Sequence, residues 1–128
     1  MAKYRNDNFK LVAAMTKALA DETRLRVILA LSEGPLCLCQ ITALFGLAAS
    51  TMSKHLSILQ QAGLVVGRKK GRWMHFELPK NDTSKEIKKA LNWVVRSLEH
   101  DEQIQKDRKQ LKKILTLDAE TLCRKRKN

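Results

Sequence analysis

Ser50-Thr51-Met52-Ser53-Lys54-His55-Leu56-Ser57-Ile58-Leu59-Gln60-Gln61-Ala62-Gly63-Leu64-Val65-Val66-Gly67-Arg68-Lys69-Lys70-Gly71-Arg72-Trp73-Met74-His75-Phe76-Glu77-Leu78-Pro79 changes its period half-way along. From Ser50 to Ala62, Met52, Leu56 and Leu59 recur at helical spacing, and Gly63 stops the run. Leu64-Val65-Val66 is apolar and β-branched, and Met74, Phe76 and Leu78 then alternate with Trp73, His75 and Glu77, a period of two. Between the two runs Gly67 to Arg72 carries four cations and two glycines, which reads as a hairpin tip, and Pro79 closes the second strand.

Upstream, residues 8–19 place Phe9, Leu11, Val12, Met15 and Leu19 on a helical period, with Asp7 or Asn8 as the cap. Asp21 precedes a second helix with Leu25, Ile28, Leu29 and Leu31 facing inward, stopped by Glu33-Gly34-Pro35. A short helix from Leu38 to Phe45 ends at Gly46. Downstream, Thr83 and Glu86 have capping-box spacing for a last helix, Ser84 to Leu98, striped by Ile87, Leu91, Val94 and Leu98. From Glu99 to Gln110 only Ile104 is apolar, so the helix is solvated there or breaks; Leu111, Ile114, Leu115 and Leu117 make a weaker final stripe. The predicted fold is mostly α with a small β-hairpin (α+β), in the order α-α-α-α-β-β-α: a winged helix-turn-helix over residues 1–98. Residues 99–128 follow as a charged helical extension with a basic tail, Arg124-Lys125-Arg126-Lys127.

The 128 residues suit one domain, and 44% apolar with 30% charged residues excludes a disordered chain. Five glycines, two prolines and 5% aromatics argue against an all-β sandwich. No apolar run follows the charged start, so a signal peptide is not expected. Gly34 to Ser53, the longest stretch free of charged side chains, contains Pro35, Gln40, Gly46 and four hydroxyl residues, which excludes it as a membrane span. Cys37, Cys39 and Cys123 are an odd set without an export signal, which reads as reduced thiols in the cytoplasm.

Lysine and arginine number 25 against 13 acids, a net charge of +12, which points to a polyanion, either nucleic acid or an acidic membrane surface. The distribution says which. Between Glu33 and Glu77 there is no carboxylate, while Lys54, Arg68, Lys69, Lys70 and Arg72 fall inside that span. A surface that meets phosphates should lack anions, because each one cancels a counterion-release gain. Ser50, Thr51, Ser53 and Lys54, with Ser57 behind them, are positioned at a helix start to read base edges in a major groove. Thr51 has an alternative role as a helix-start residue. Arg68, Lys70 and Arg72 would position the domain on phosphates or in a minor groove. His55 either touches a phosphate or lies beside the Met52–Leu56–Leu59 stripe, and His75 is expected on the strand surface.

Cys37-Leu38-Cys39 leaves two readings open. Thiols at i and i+2 face opposite sides of a regular helix and the same side of an extended segment, so they share one soft ion only if the chain is not helical there. Pro35 makes a frayed helix start plausible. Otherwise they are two small buried hydrophobes.

Ala18-Leu19-Ala20-Asp21-Glu22-Thr23-Arg24-Leu25-Arg26, the run Ser50 to Val65, and Gly71-Arg72-Trp73 together resemble the ArsR/SmtB winged-helix repressors over residues 10–98. The resemblance implies a cytoplasmic homodimer joined through its first and last helices, which binds double-stranded operator DNA and releases it on binding a metal ion. Pro35-Leu36-Cys37-Leu38-Cys39-Gln40-Ile41 is similar to the thiol motif of the arsenic- and antimony-responsive branch, with Pro35 in place of Glu and Gln40 in place of Asp. It implies As(III) or Sb(III) as inducer on Cys37 and Cys39. A third thiolate comes from Cys123 or from a solute thiol, since Thr42 stands where some members carry a third cysteine. The zinc-type site of the other branch is not expected, because residues 84–100 offer only His100. Other readings are a redox or thiol-reactive trigger, no ligand at all, or a sequence-neutral architectural DNA-binding protein. An enzyme is not expected, since no acid orients a histidine beside a cysteine.

Overall fold

The computed structural model describes residues 2–118 and 120–123, with the backbone alone for 2–7. The basic tail Arg124–Lys127 therefore lies outside the described residues. Six helices and three strands follow in the order α1 (Ala2–Leu19), α2 (Glu22–Leu31), β1 (Leu36–Cys37), α3 (Leu38–Phe45), α4 (Ala49–Gln61), β2 (Val66–Lys70), β3 (Trp73–Glu77), α5 (Lys85–Leu98) and α6 (Glu102–Leu115) among the described residues. The winged helix-turn-helix is present, with two additions the sequence did not announce: β1 and a packed α6.

Asp21 caps α2 as predicted, its side chain accepting the Arg24 N–H at 3.1 Å. Helix α2 is central, touching α1, α4, α5 and α6. Its residues Val27 to Leu31 are accordingly all buried, where a single stripe was expected, and Leu25 is only half-buried. Helix α1 begins at Ala2, so Asp7 and Asn8 lie inside it and do not cap it. Gly46 ends α3 in the left-handed region at φ 66°, its N–H bonded to Thr42 O at 2.8 Å.

The sheet is antiparallel in the order β1-β3-β2, with Leu36 opposite Phe76 and Cys37 opposite His75. Leu64 and Val65 are buried but precede the strand, and β2 runs on to Lys70. Arg68, Lys69 and Lys70 are thus strand residues, and the tip shrinks to Gly71, at φ 59°, and Arg72. A two-residue turn suits the twist of paired strands better than a six-residue loop. A Cβ at Gly67 would stand 2.7 Å from Gln60 Nε2, so that flexible side chain of α4 would have to move aside. Phe76 is buried and Met74 is exposed, so the expected apolar face of β3 is only partly used.

Ser84, not Thr83, caps α5 by accepting the Ile87 N–H at 3.3 Å. The chain then breaks at Glu99-His100-Asp101, and Asp101 caps α6 through the Gln103 N–H at 2.8 Å. Ile104, Leu111 and Ile114 bury one face of α6 against α2 and α3, and they share the core of the preceding residues. Of the expected final stripe, Leu115 and Leu117 stay exposed. Among the described residues no helix is long and apolar enough to cross a membrane.

Candidate nucleic-acid interface and thiol site

Met52, Leu56 and Leu59 are buried and turn α4 so that Ser50, Thr51, Ser53, Lys54 and Ser57 are all exposed on its other side. These are the five residues expected to read bases, and they form one polar face with a single cation. His55 sits at its margin, half-buried, with its Nδ1 3.2 Å from Arg24 Nη1. It has a partner inside the protein that neither sequence reading included.

The wing projects Lys69 and Lys70 into solvent, but its other cations have company. Arg68 Nε lies 3.1 Å from Glu77 Oε1, and Arg72 Nη1 lies 3.9 Å from Glu120 Oε1. The acid-free span in the sequence is not free of acids in space, because a strand neighbour and the C-terminal segment each bring one. Both pairs are solvent-exposed on the arginine side, so each is weak and open to competition by phosphate. His75 is half-buried, with a sealed Nδ1 that finds no hydrogen bond among the described residues. The surface placement expected for it is met only in part, since it is half-buried on a strand that pairs with β1.

Cys37 is the last residue of β1 and the N-cap of α3, with extended backbone (φ −81°, ψ 161°). Gln40 Oε1 accepts its N–H at 2.9 Å. Cys39 lies in the first turn of α3, so the pair straddles a strand-to-helix junction and the chain at Cys37 is already outside helical geometry. Cys37 is 1% exposed. Cys39 is bonded to Cys123, with Cα atoms 5.3 Å apart. The expectation of three reduced thiols is corrected: only Cys37 is free, because α6 lies on α3 and the returning chain brings Cys123 beside Cys39. Cys123 is buried, not a loose tail thiol. In this form no group of three His, Cys, Asp or Glu side chains among the described residues is placed to hold a metal ion. Cys39 and Cys123 become donors only after reduction, which restores two adjacent thiols two residues from a third.

Residues 21–66, covering α2, β1, α3, α4 and the first residue of β2, match the family model described as bacterial regulatory protein, arsR family. An uncharacterized HTH-type transcriptional regulator of Methanocaldococcus jannaschii is 37% identical over 87 residues, 67% of this chain and 97% of that protein. The chain belongs to the ArsR family. Members of the ArsR family are DNA-binding transcriptional regulators, not enzymes. The arsenical resistance operon repressor of Escherichia coli is 42% identical over 72 residues, 56% of this chain and 62% of that repressor. The cadmium resistance regulatory protein CadC homolog of Staphylococcus aureus is 34% identical over 80 residues, 62% of this chain and 66% of that protein. The homodimeric winged helix-turn-helix domain of a possible ArsR-family regulator from Mycobacterium bovis superposes with a TM-score of 0.61 at 26% identity, covering 77% of this chain and 91% of that one. The ArsR family model stops at residue 66, so the wing beyond Val66, α6 and Cys123 lie outside the matched stretch.

Proposed function

We propose that this ArsR-family chain is a cytoplasmic homodimeric repressor that holds double-stranded operator DNA and releases it when As(III) or Sb(III) binds the thiolates of Cys37, Cys39 and Cys123. One observation carries the inducer reading: Cys123 comes within bonding distance of Cys39, two residues from Cys37, at the start of the first helix of the DNA-binding pair. Trivalent arsenic has the three soft donors it prefers once the disulfide is reduced. Ser50, Thr51, Ser53, Lys54 and Ser57 read bases, while Arg68, Lys70 and Arg72 hold phosphates. Helices α1 and α5 carry the exposed Phe9, Val12 and Trp93, the apolar surface a two-fold partner would cover.

Helix α3 packs on α4. Drawing the three sulfurs onto one ion moves the start of α3 and, with it, the recognition helix. The ligand acts only by preferring that moved state. The test is operator binding by the reduced protein, titrated with arsenite, antimonite, zinc, cadmium and peroxide. Release by arsenite and antimonite at concentrations where zinc and cadmium are silent is expected. Release by cadmium or zinc with arsenite silent would overturn the inducer.

The Cys39–Cys123 bond favours a second reading, an oxidation trigger. Two thiols give two electrons and two protons to a peroxide, which leaves as two waters, or as water and an alcohol, and the disulfide joins α3 to the segment after α6. Release by peroxide alone, reversed by a dithiol, would select this reading over the first.

A further inference from the structure

Arg24 directs its guanidinium entirely inward. Its Nε donates to Ala18 O at 2.7 Å and its Nη2 to Lys17 O at 3.1 Å, both carbonyls in the last turn of α1. Its Nη1 lies 3.2 Å from His55 Nδ1 and 3.9 Å from Asp21 Oδ2. The side chain is 12% exposed, so it is in no position to serve as a surface cation for DNA. A guanidinium has donors and no acceptor. His55 Nδ1 must therefore be the accepting nitrogen, and the ring proton sits on Nε2. Nε2 has no hydrogen bond among the described residues and is not sealed from solvent. His55 follows Lys54 and stands one helical turn after Thr51, at the edge of the exposed face of α4.

We propose that His55 donates its Nε2–H to a DNA phosphate at the flank of the recognition helix, and that Arg24 is the positioning residue that sets this tautomer. The inference rests on reading α4 as the recognition helix. Arg24 belongs to α2, holds the end of α1 and grips a side chain of α4. It is thus a rigid link between the proposed dimer helix and the DNA-facing helix. A shift of α1 moves the guanidinium and, through it, the ring.

The test begins with the intact wild-type protein. Long-range ¹⁵N–¹H correlation should show His55 protonated at Nε2 and bare at Nδ1, with and without DNA; the reverse tautomer overturns the proposal. His55→Phe should bind operator and unrelated duplex alike more weakly by about tenfold per protomer, the loss in each of one hydrogen bond to a charged acceptor. Its salt slope should be unchanged, because a neutral donor displaces no counterion. His55→Gln should recover most of the loss, since its amide can both accept from Arg24 and donate outward. Arg24→Met should lose the same factor, and the double variant Arg24→Met/His55→Phe no more. Additive losses, or a slope that falls by about one unit on Arg24→Met, overturn the positioning role. Arg24→Met also loses two bonds to α1, so affinities are taken per folded molecule; if it does not fold, the wild-type tautomer and the two His55 variants decide. Lys54→Ala separates the two levels. If it leaves site preference intact, the recognition-helix reading fails; if it abolishes preference while His55→Phe binds normally, this inference alone fails.

Discussion

Asp107 on α6 accepts two hydrogen bonds from Arg26 on α2, Nε to Oδ2 at 2.8 Å and Nη2 to Oδ1 at 2.7 Å. Gln103 Nε2 adds a third at 3.0 Å, and the Arg26 guanidinium lies 4.8 Å from the centre of the Phe45 ring of α3. The bidentate pair thus holds α6 to α2, and the same guanidinium rests on the Phe45 ring of α3. The hydrogen bonds that Arg26 donates to Asp107 hold its pKa above the ordinary value.

Asp107→Asn should cost about 2–3 kcal/mol, since a half-buried guanidinium keeps only part of its pairing. The sign of the pH dependence follows from Arg26. A cation whose folded pKa is raised stabilises the fold below its unfolded value and loses that contribution only as pH rises through the folded one. An arginine stays charged well above neutral pH, so the stability gap between wild type and Asp107→Asn should not shrink from neutral pH to pH about 10. Denaturant midpoints across that range check it.

The wing cations should separate by partner. Lys70→Ala is expected to weaken specific and non-specific DNA alike and to flatten the salt slope by about one unit per protomer. Arg68 already has Glu77 at 3.1 Å, so Arg68→Ala should flatten it less, and Glu77→Gln should steepen it. A loss at Lys70 confined to the operator would mean that the wing reads bases.

Trp93 is 66% exposed on α5, and Phe9 and Val12 are exposed on α1. Trp93→Glu and Val12→Glu should each give a folded monomer by sedimentation velocity. Either should cost operator affinity more than non-specific affinity, because two recognition helices about 34 Å apart are what a symmetric site requires. A wild-type monomer at micromolar concentration would contradict the symmetric-operator model.

Cys123→Ser should affect induction as strongly as Cys39→Ser, where a loose tail thiol would have been replaceable by one from solution. Each variant should hold the operator and fail to release it with arsenite, and Cys37→Ser should behave alike. The oxidised wild type carries a bond between residues 84 positions apart, which stabilises by about 4 kcal/mol through the unfolded chain. Dithiothreitol should therefore lower its unfolding midpoint and leave that of Cys123→Ser unchanged. Arsenite release by the Cys37→Ser/Cys39→Ser double variant at wild-type concentrations would remove the thiols from the mechanism.

The helix-turn-helix was legible because its signals are local. Met52, Leu56 and Leu59 mark a period over one helix, Gly63 marks its end and Gly46 the end of the helix before it, and the switch to a period of two marks the wing. The same stripe told which face of α4 is exposed, so Ser50, Ser53 and Lys54 could be named before any coordinates. The extent of β2 was misjudged because cations at Arg68 and Lys70 are as compatible with an edge strand as with a loop.

Chain-local pattern gave no access to contacts between distant segments. Two residues of β1 are too few to carry a period, yet they pair with Phe76 and His75 of β3 and keep Cys37 out of the helix. Ile104, Leu111 and Ile114 are so sparsely spaced that their helix reads as solvated until α2 and α3 are there to cover them. Once they dock, Asp107 finds Arg26, Glu120 finds Arg72 and Cys123 finds Cys39. Sequence alone settled which residues of α4 lie on its exposed face, because helical phase depends on neighbours three and four positions away. The Cys39–Cys123 pairing and the Arg24–His55 contact were left to tertiary packing, because each joins groups that only the docking of one segment on another brings within reach.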